Sequence, residues 1–415
     1  MQCIDLFAGA GGLSEGFKRA GFDIVAHVEM NSFAALTLKT REAYYYLKEN
    51  NEIEIYKQYL LGNITRDALY EHVPENILSK AICECISDDT VETIFQKIDD
   101  MLEEKERQEI DVVIGGPPCQ AYSIAGRGRA ADKMENDERN YLYIQYIKFI
   151  VKYRPKMFVF ENVKGIFSAK KGEILEDIKR RIDIAGYDIN IQEIDASKIG
   201  VLQKRKRVII RGIRKNLNQN IENIIYPILQ YQHTLKDLFN DLPDLHAGES
   251  MNGDVYTKAP NDCCSSLELR DKECDILTWH NARPHSGQDL KIYKLCVKTW
   301  NDEHRKLKYN ELPDKLKSHK NTKSYLDRFN VLNNNGLSHT VVAHIAKDGH
   351  YYIHPDIEQN RSISVREAAR IQSFPDNYYF EGSRTAAFTQ IGNAVPPKLA
   401  QVLAEDIHHY LDDDL

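Results

Sequence analysis

At 415 residues the chain has room for two or three domains, and 42% hydrophobic with 28% charged residues is the composition of an ordinary globular protein. A net charge of −7 does not by itself point to nucleic acid. No apolar run approaches the length of a membrane span, and "MQCIDLFAGAGG" lacks the basic-then-apolar start of a secretion signal, so a cytoplasmic setting is expected.

In chain order, "CIDLF" (3–7) reads as a first strand and runs into "DLFAGAGGLSEGF" (5–17), which opens a helix. Glycines 9, 11 and 12 let the backbone turn tightly and approach a ligand. A dinucleotide fingerprint would want a further glycine where Ser14 stands, which disfavours NAD. "FDIVAHVE" (22–29) reads as the second strand and ends in Glu29, a carboxylate able to accept from two ribose hydroxyls. Glycine turns are often plain packing features, but a turn followed one strand later by an acidic strand end points to an adenosine-type ligand. Residues 66–108 read as an added helical segment, rich in charge, between two strands.

The next strand, "DVVIGG" (111–116), leads into "GGPPCQAYS" (115–123). Pro117 and Pro118 fix φ and carry no N–H, stiffening the approach to Cys119, while Gly115 and Gly116 let another group lie against the chain. A thiol so placed at a strand's carboxyl end is a candidate nucleophile, whose thiolate form needs an activating environment; a buried, inert cysteine is the alternative. "AYSIAGRGRAADKMENDERN" (121–140), with Gly126, Arg127, Gly128 and Arg129, suits a mobile loop. Leu142, Tyr146, Phe149, Ile150 and Tyr153 mark one face of a helix, as do Ile174, Leu175, Ile178 and Ile182.

Between those helices "MFVFEN" (157–162) is a strand ending in Glu161. An acidic residue at the tip of a buried strand is poorly explained by packing, and burial would keep it protonated, ready to donate to a ring nitrogen. "RVIIRGI" (207–213) is a further strand, and the period of two puts Arg205 and Arg207 of "QKRKR" on one side of it. Strand and helix in alternation argue for a parallel, doubly wound sheet. Residues 204–215 carry seven Lys/Arg and no acid, and residues 291–328 carry eleven Lys/Arg against five Asp/Glu, which together permit a polyanion surface.

Periodicity is lost over 216–335, which favours a second domain of irregular build. It returns at "SVREAARIQSF", where Ser364 and Glu367 form a capping box for a helix starting near Val365. "QIGNAVPP" (390–397) places Asn393 in a loop, and Pro397 starts a final amphipathic helix through Leu411. Eight scattered cysteines suit free thiols. The pairs Cys83/Cys85 and Cys263/Cys264 lack partners at zinc-finger spacing, so no metal is expected.

"DLFAGAGGLSEGF", "GGPPCQAYS", "ENV", "QKRKR", "REAARIQSFPD" and "QIGNAVPP" occur in the order seen in DNA cytosine-5 methyltransferases. The chain resembles that family, in its bacterial restriction-modification type, everywhere except chiefly 66–108 and 216–335. The resemblance implies an α/β fold of the class I S-adenosylmethionine-dependent methyltransferase kind, a Rossmann-like doubly wound sheet formed by 1–214 plus 380–415. A smaller target recognition domain would occupy 215–379.

By position, the resemblance places Phe7, Ala8, Gly9, Gly11, Gly12, Leu13, Glu29, Met30, Pro117, Leu142, Asn393 and Ala394 at the S-adenosylmethionine site. Where the family often has Asp in the loop after its third strand, "GNIT" offers Asn63 with Ile64. Cys119 would be the nucleophile, Glu161 the group at cytosine N3 and N4, and Arg207 the contact to O2, with Arg205 assisting. The implied substrate is a flipped-out cytosine in a specific duplex DNA sequence, with the 121–140 loop closing over it and "HNARPH" (280–285) or 291–328 reading the neighbouring bases. A monomer paired in function with a restriction endonuclease is expected. RNA methylation by the same chemistry and a non-enzymatic DNA-binding role are the alternatives.

Overall fold

Seven strands form the main sheet, and their sequences explain why. The strands are β1 (Gln2–Leu6), β2 (Asp23–Glu29), β3 (Ala81–Cys83), β4 (Val112–Gly115), β5 (Met157–Asn162), β6 (Tyr187–Asp195) and, after the short β7 (Gln203–Lys204), β8 (Lys206–Arg214). In this computed structural model, which describes residues 1–104, 109–118, 141–226, 233–253, 255–318, 321 and 323–412, their order is β3-β2-β1-β4-β5-β8-β6. β4 and the first four residues of β5 are continuous apolar runs because both faces are covered, and β1 is buried along its whole length. Val113, Phe158 and Phe160 point to one core, and Val112, Ile114, Met157 and Val159 to the other.

The helices are α1 (Gly12–Arg19), α2 (Ser32–Glu49), α3 (Ile53–Leu60), α4 (Arg66–Tyr70), α5 (Glu75–Leu78), α6 (Val91–Glu104), α7 (Leu142–Tyr153) and α8 (Glu173–Ile184) in the first half. α9 (Leu235–Phe239), α10 (Asp262–Ser266), α11 (Gly287–Glu303), α12 (Val365–Ile371), α13 (Arg384–Asn393) and α14 (Pro397–Asp412) follow. α6, α7 and α8 bury Ile94, Ile98, Tyr146, Phe149, Ile178 and Ile182 on one face of the sheet. α1 and α14 cover the other face with Phe17, Leu399, Leu403 and Ile407.

The parallel sheet read from the sequence is mostly that, with one correction. β8 runs antiparallel to both β5 and β6. The link from β6 to β8, residues 196–205, is too short for a crossover. Two strands escaped the sequence reading. β3 lies inside the segment read as added helix, and β6 alternates polar residues with isoleucine at the sheet edge.

The second lobe has its own core, running from Leu235 and Leu238 through Leu332, Val341 and Ile363 to Phe374, Phe388, Ile391 and Ala394. α13 packs its apolar side chains with the second lobe, while its Gln390 accepts from Thr37 Oγ1 on α2 at 2.7 Å and Glu381 just before it accepts from Thr40 Oγ1 at 2.6 Å, so this stretch touches both lobes. A two-stranded parallel pairing of β7 with β9 (Ser338–His339) ties the lobes together. α12 begins at Val365 on the expected capping box: Glu367 N donates to Ser364 Oγ at 3.1 Å and Ser364 N to Glu367 Oε2 at 2.7 Å. The buried guanidinium of Arg370 is held between Asp241 (2.6 Å) and Asp376 (2.5 Å), and Arg361 pairs with Glu367 at 2.7 Å. Among the described residues no helix is long and apolar enough to cross a membrane.

Candidate active site

Strand order reverses between β1 and β4, and the crevice beyond their carboxyl ends is where open α/β sheets hold ligands. Phe7 and Gly9 leave β1 with φ of 54° and 56°, a left-handed turn that brings the Gly9 N–H to Glu29 Oε2 at 2.8 Å. Asn31 N donates to the other oxygen at 2.7 Å. Burial pushes the Glu29 carboxyl up, against the pull of these backbone donors. Each oxygen keeps a lone pair for a further donor, which is the requirement for binding a ribose diol.

The three glycines of the turn do different work. A Cβ on Gly9 would meet nothing, so this residue opens the crevice. On Gly11 it would lie 2.7 Å from Leu38 Cδ2 and from the Tyr378 hydroxyl, and on Gly12 only 2.0 Å from Val395 O. Gly12 thus serves the packing of α1 against the segment leading into α14. Ala8, Leu13 and Ala394 are buried, whereas Met30 (66% exposed), half-exposed Leu142 and exposed Asn393 present surface. An adenosyl ligand fits this donor set: an open glycine, a paired carboxylate and uncovered apolar side chains.

Asn63 and Ile64 require correction. The third strand is β3, so the loop after it is not "GNIT", which lies in the turn between α3 and α4. Asn63 Nδ2 donates to Gln58 there, and Ile64 packs against a side cluster with Tyr56 and Leu60. The loop that does follow β3 begins Glu84-Cys85-Ile86, beside Glu29, which is paired with Cys83. Cys85 and Ile86 are the candidates the sequence reading missed. Three-residue "AIC" gave too little pattern to reveal the strand before them.

At the end of β5, Arg207 Nε forms an ion pair with Glu161 Oε1 at 2.7 Å, with both side chains nearly covered. Glu161 therefore faces the Arg207 cation. Its other oxygen lies 3.0 Å from where a Gly116 Cβ would stand, so the glycine after β4 makes room for the carboxylate. Asn162 accepts from Val163 N and shapes the strand's exit. Pro117 is buried and Pro118 exposed. Cys119 and the 121–140 loop lie outside the described residues.

Arg205 does not share a face with Arg207. It falls between β7 and β8, strands of two different sheets, so the period of two is broken at that point. Its guanidinium is buried and donates to Val341 O (2.8 Å) and Ala394 O (2.7 Å). Burial, with Arg207 close by, holds its pKa well below the usual guanidinium value.

The proposed base-reading stretch "HNARPH" is spent internally. His280 bonds Ser364 Oγ and Pro243 O, Arg283 donates to the carbonyls of Ile345, Ala346 and Lys347, and His285 contacts Ser362 Oγ. In the basic stretch, Arg305 is paired with Glu303 and Glu311, and Lys317 with Asp314. Lys291 and Lys294 on α11 remain exposed. Among the described residues no three His, Cys, Asp or Glu are grouped to hold a metal ion.

The family of C-5 cytosine-specific DNA methylases matches this chain over residues 1–106 and 61–409. The type II methyltransferase M.Bpa9945I of Bacillus paralicheniformis is 43% identical, covering 98% of both chains. M.AgeI of Thalassovita gelatinovora, also a type II methyltransferase, is 31% identical over 98% of this chain and 99% of its own. Among solved structures, a DNA modification methyltransferase encoded within an E. coli prophage aligns with a TM-score of 0.64 at 23% identity, covering 99% of each chain, and supports the fold. The chain belongs to the C-5 cytosine-specific DNA methylases and is an S-adenosylmethionine-dependent DNA (cytosine-5)-methyltransferase of the type II, restriction-modification kind.

Proposed function

We propose that the chain methylates C5 of a cytosine flipped out of a specific duplex DNA site, through a transient bond from Cys119 to C6, and so protects DNA from a cognate endonuclease. The observation that carries this reading is the Glu161–Arg207 pair at the carboxyl end of β5, beside the Gly9–Glu29 crevice. Cytosine C5 is a weak nucleophile, and adding a thiolate at C6 turns the ring into an enamine reactive at C5. Glu161 bonds N3 and the 4-amino group and stabilises the charge that develops on addition; Arg207 orients Glu161 and contacts O2. Once C5 has gained the methyl group, loss of the C5 proton breaks the C6–sulfur bond, releases the Cys119 thiolate and restores the ring's 5,6 double bond.

Phe7, Gly9, Glu29, Met30, Cys85, Ile86, Leu142 and Asn393 hold S-adenosylmethionine, which supplies an electrophilic methyl group when bound. The target base lies inside a stacked duplex and must leave it, at a cost of roughly a few kcal/mol.

The test uses a long duplex amplified with 5-fluoro-dCTP in place of dCTP, so that its length supplies the unknown site. With S-adenosylmethionine present, the wild-type chain should form a denaturant-resistant protein–DNA adduct, because fluorine cannot leave as a proton does. Cys119→Ala should form none and transfer no labelled methyl, while still binding DNA. Turnover by that variant would remove the nucleophile assignment. Endonuclease pairing predicts that DNA from cells expressing the chain resists one type II enzyme at the mapped methylation site.

A further inference from the structure

Arg205 is a buried cation without an acid. It is 1% exposed, and among the described residues no carboxylate stands within ion-pair distance. What holds the charge is carbonyl oxygen. Ala394, whose O accepts from Nη2, is the C-terminal cap of α13, where the helix dipole places partial negative charge. Val341, whose O accepts from Nη1, follows β9 in the second lobe.

Two glutamines complete the arrangement. Gln203 Oε1 accepts from Val341 N at 3.1 Å, so side chains around β7 hold both backbone groups of Val341. Gln203 Nε2 donates to Gln372 Oε1 at 2.6 Å, and Gln372 Nε2 donates to Ile391 O (2.6 Å) and to Ala394 O (3.3 Å). One end of this bridge leads to the cofactor site proposed above, and the other to an exposed turn of the second lobe. Ala394 follows the exposed Asn393, assigned above to the cofactor. Val341 precedes Val342, exposed on a turn that the Tyr352 hydroxyl fixes by accepting from Val342 N and donating to Thr340 O. A Cβ on Gly392 would lie 2.3 Å from Ala343 N, so the end of α13 lies against this turn with no slack.

We propose that Arg205 is a positioning residue that couples the two binding sites, holding the Asn393 turn of the cofactor crevice and the Val341–Val342 turn of the second lobe in one register with the Glu161–Arg207 pair. The inference rests on the cofactor and base assignments proposed above. Its physical content is that one planar fork, carried on the link between β7 and β8, bridges two backbone carbonyls, one after β9 and one capping α13, which a lysine ammonium cannot reproduce. Loss of the fork then weakens cofactor and DNA together and leaves the chemistry of the assembled site nearly intact.

The experiment compares wild type, Arg205→Lys and Gln372→Leu. It measures S-adenosylhomocysteine affinity by calorimetry without DNA, and steady-state kinetics on unmodified genomic DNA with labelled S-adenosylmethionine. Arg205→Lys should weaken S-adenosylhomocysteine about tenfold and raise KM for DNA by a similar factor, with kcat within about threefold of wild type. A large fall in kcat with affinity and KM unchanged would make Arg205 a base-contacting group and overturn the proposal. A lower melting temperature with affinity and KM unchanged would make it merely structural and overturn it equally. If Arg205→Lys does not fold, Gln372→Leu decides, since it removes one donor to Ala394: weaker S-adenosylhomocysteine binding supports the bridge and unchanged binding refutes it. Failure of the wild-type chain to bind S-adenosylhomocysteine is a separate result, which removes the cofactor assignment and the coupling with it.

Discussion

Gly9 and Gly12 stand three residues apart, and the same added methyl group should do different things at each. At Gly9 the Cβ enters open space but the backbone is left-handed, φ 56°, which costs an alanine about 1–2 kcal/mol. Because that methyl projects into the crevice, Gly9→Ala should lose S-adenosylhomocysteine affinity along with this modest stability. At Gly12 the backbone is helical, so alanine gains up to about 1 kcal/mol of helix propensity. The Cβ, however, would sit 2.0 Å from Val395 O, a backbone atom that moves only if α1 and the segment before α14 separate. Overpacking of this kind costs about 1–3 kcal/mol, enough to outweigh the propensity gain. Urea unfolding should therefore rank Gly12→Ala below wild type, and a stabilised variant would show that the helix contact is looser than described.

At the scale of elements, β1, β2 and α2 are joined by a buried charge line. His27 on β2 lies between Asp5 on β1 (Nδ1 to Oδ2, 3.9 Å) and Glu42 on α2 (Nε2 to Oε1, 3.2 Å), and Lys80 Nζ reaches the other Glu42 oxygen at 3.3 Å. A neutral imidazole has one donor and an imidazolium has two, so two flanking carboxylates favour the charged ring. Burial alone would lower the His27 pKa; the Glu42 hydrogen bond and the charges of Asp5 and Glu42 outweigh it, and the net shift is upward. A folded value above the unfolded one means the stabilisation is complete below about pH 6.5 and is lost as pH rises through the folded value. The melting-temperature gap between wild type and His27→Gln should shrink between about pH 6 and about pH 9. A gap constant across that range would mean the ring does not titrate there.

The same elements show what the sequence makes legible. β1, β2, β4, β5 and β8 stand out because each carries a short run rich in apolar residues, and Glu29 and Glu161 stand out as the charges that follow two of those runs. β6 is an edge strand whose polar residues break the run, and Arg205 and Arg207 separate because the chain changes sheets between them. The second lobe is hardest to read. Its core is laced with buried Arg361, Arg366 and Arg370, which in a bare sequence look like solvated charges, and their acid partners are as distant as Asp241.

The whole molecule closes on its own end. After the second lobe's core, which runs from Leu235 to Ala394, α14 returns to cover the sheet face begun by β1. Val395, Leu399, Leu403, Ile407 and Leu411 are buried there with Phe17, Ile24 and Ile209. At about 1.5–3 kcal/mol for each large apolar side chain, this helix contributes on the order of 10 kcal/mol of burial. That is comparable to the net stability of a typical domain, about 5–15 kcal/mol. The first lobe therefore cannot be completed by residues 1–226 alone, even though every strand of its sheet lies within them. A chain stopped after Ala394 should be insoluble or molten, losing near-ultraviolet circular dichroism, and a synthetic 395–415 peptide added during refolding should restore part of the soluble, S-adenosylhomocysteine-binding form. If the truncated chain instead melts cooperatively within a few degrees of the full one, α14 is a cover on a lobe already stable, and the two-part first domain is a matter of chain order alone.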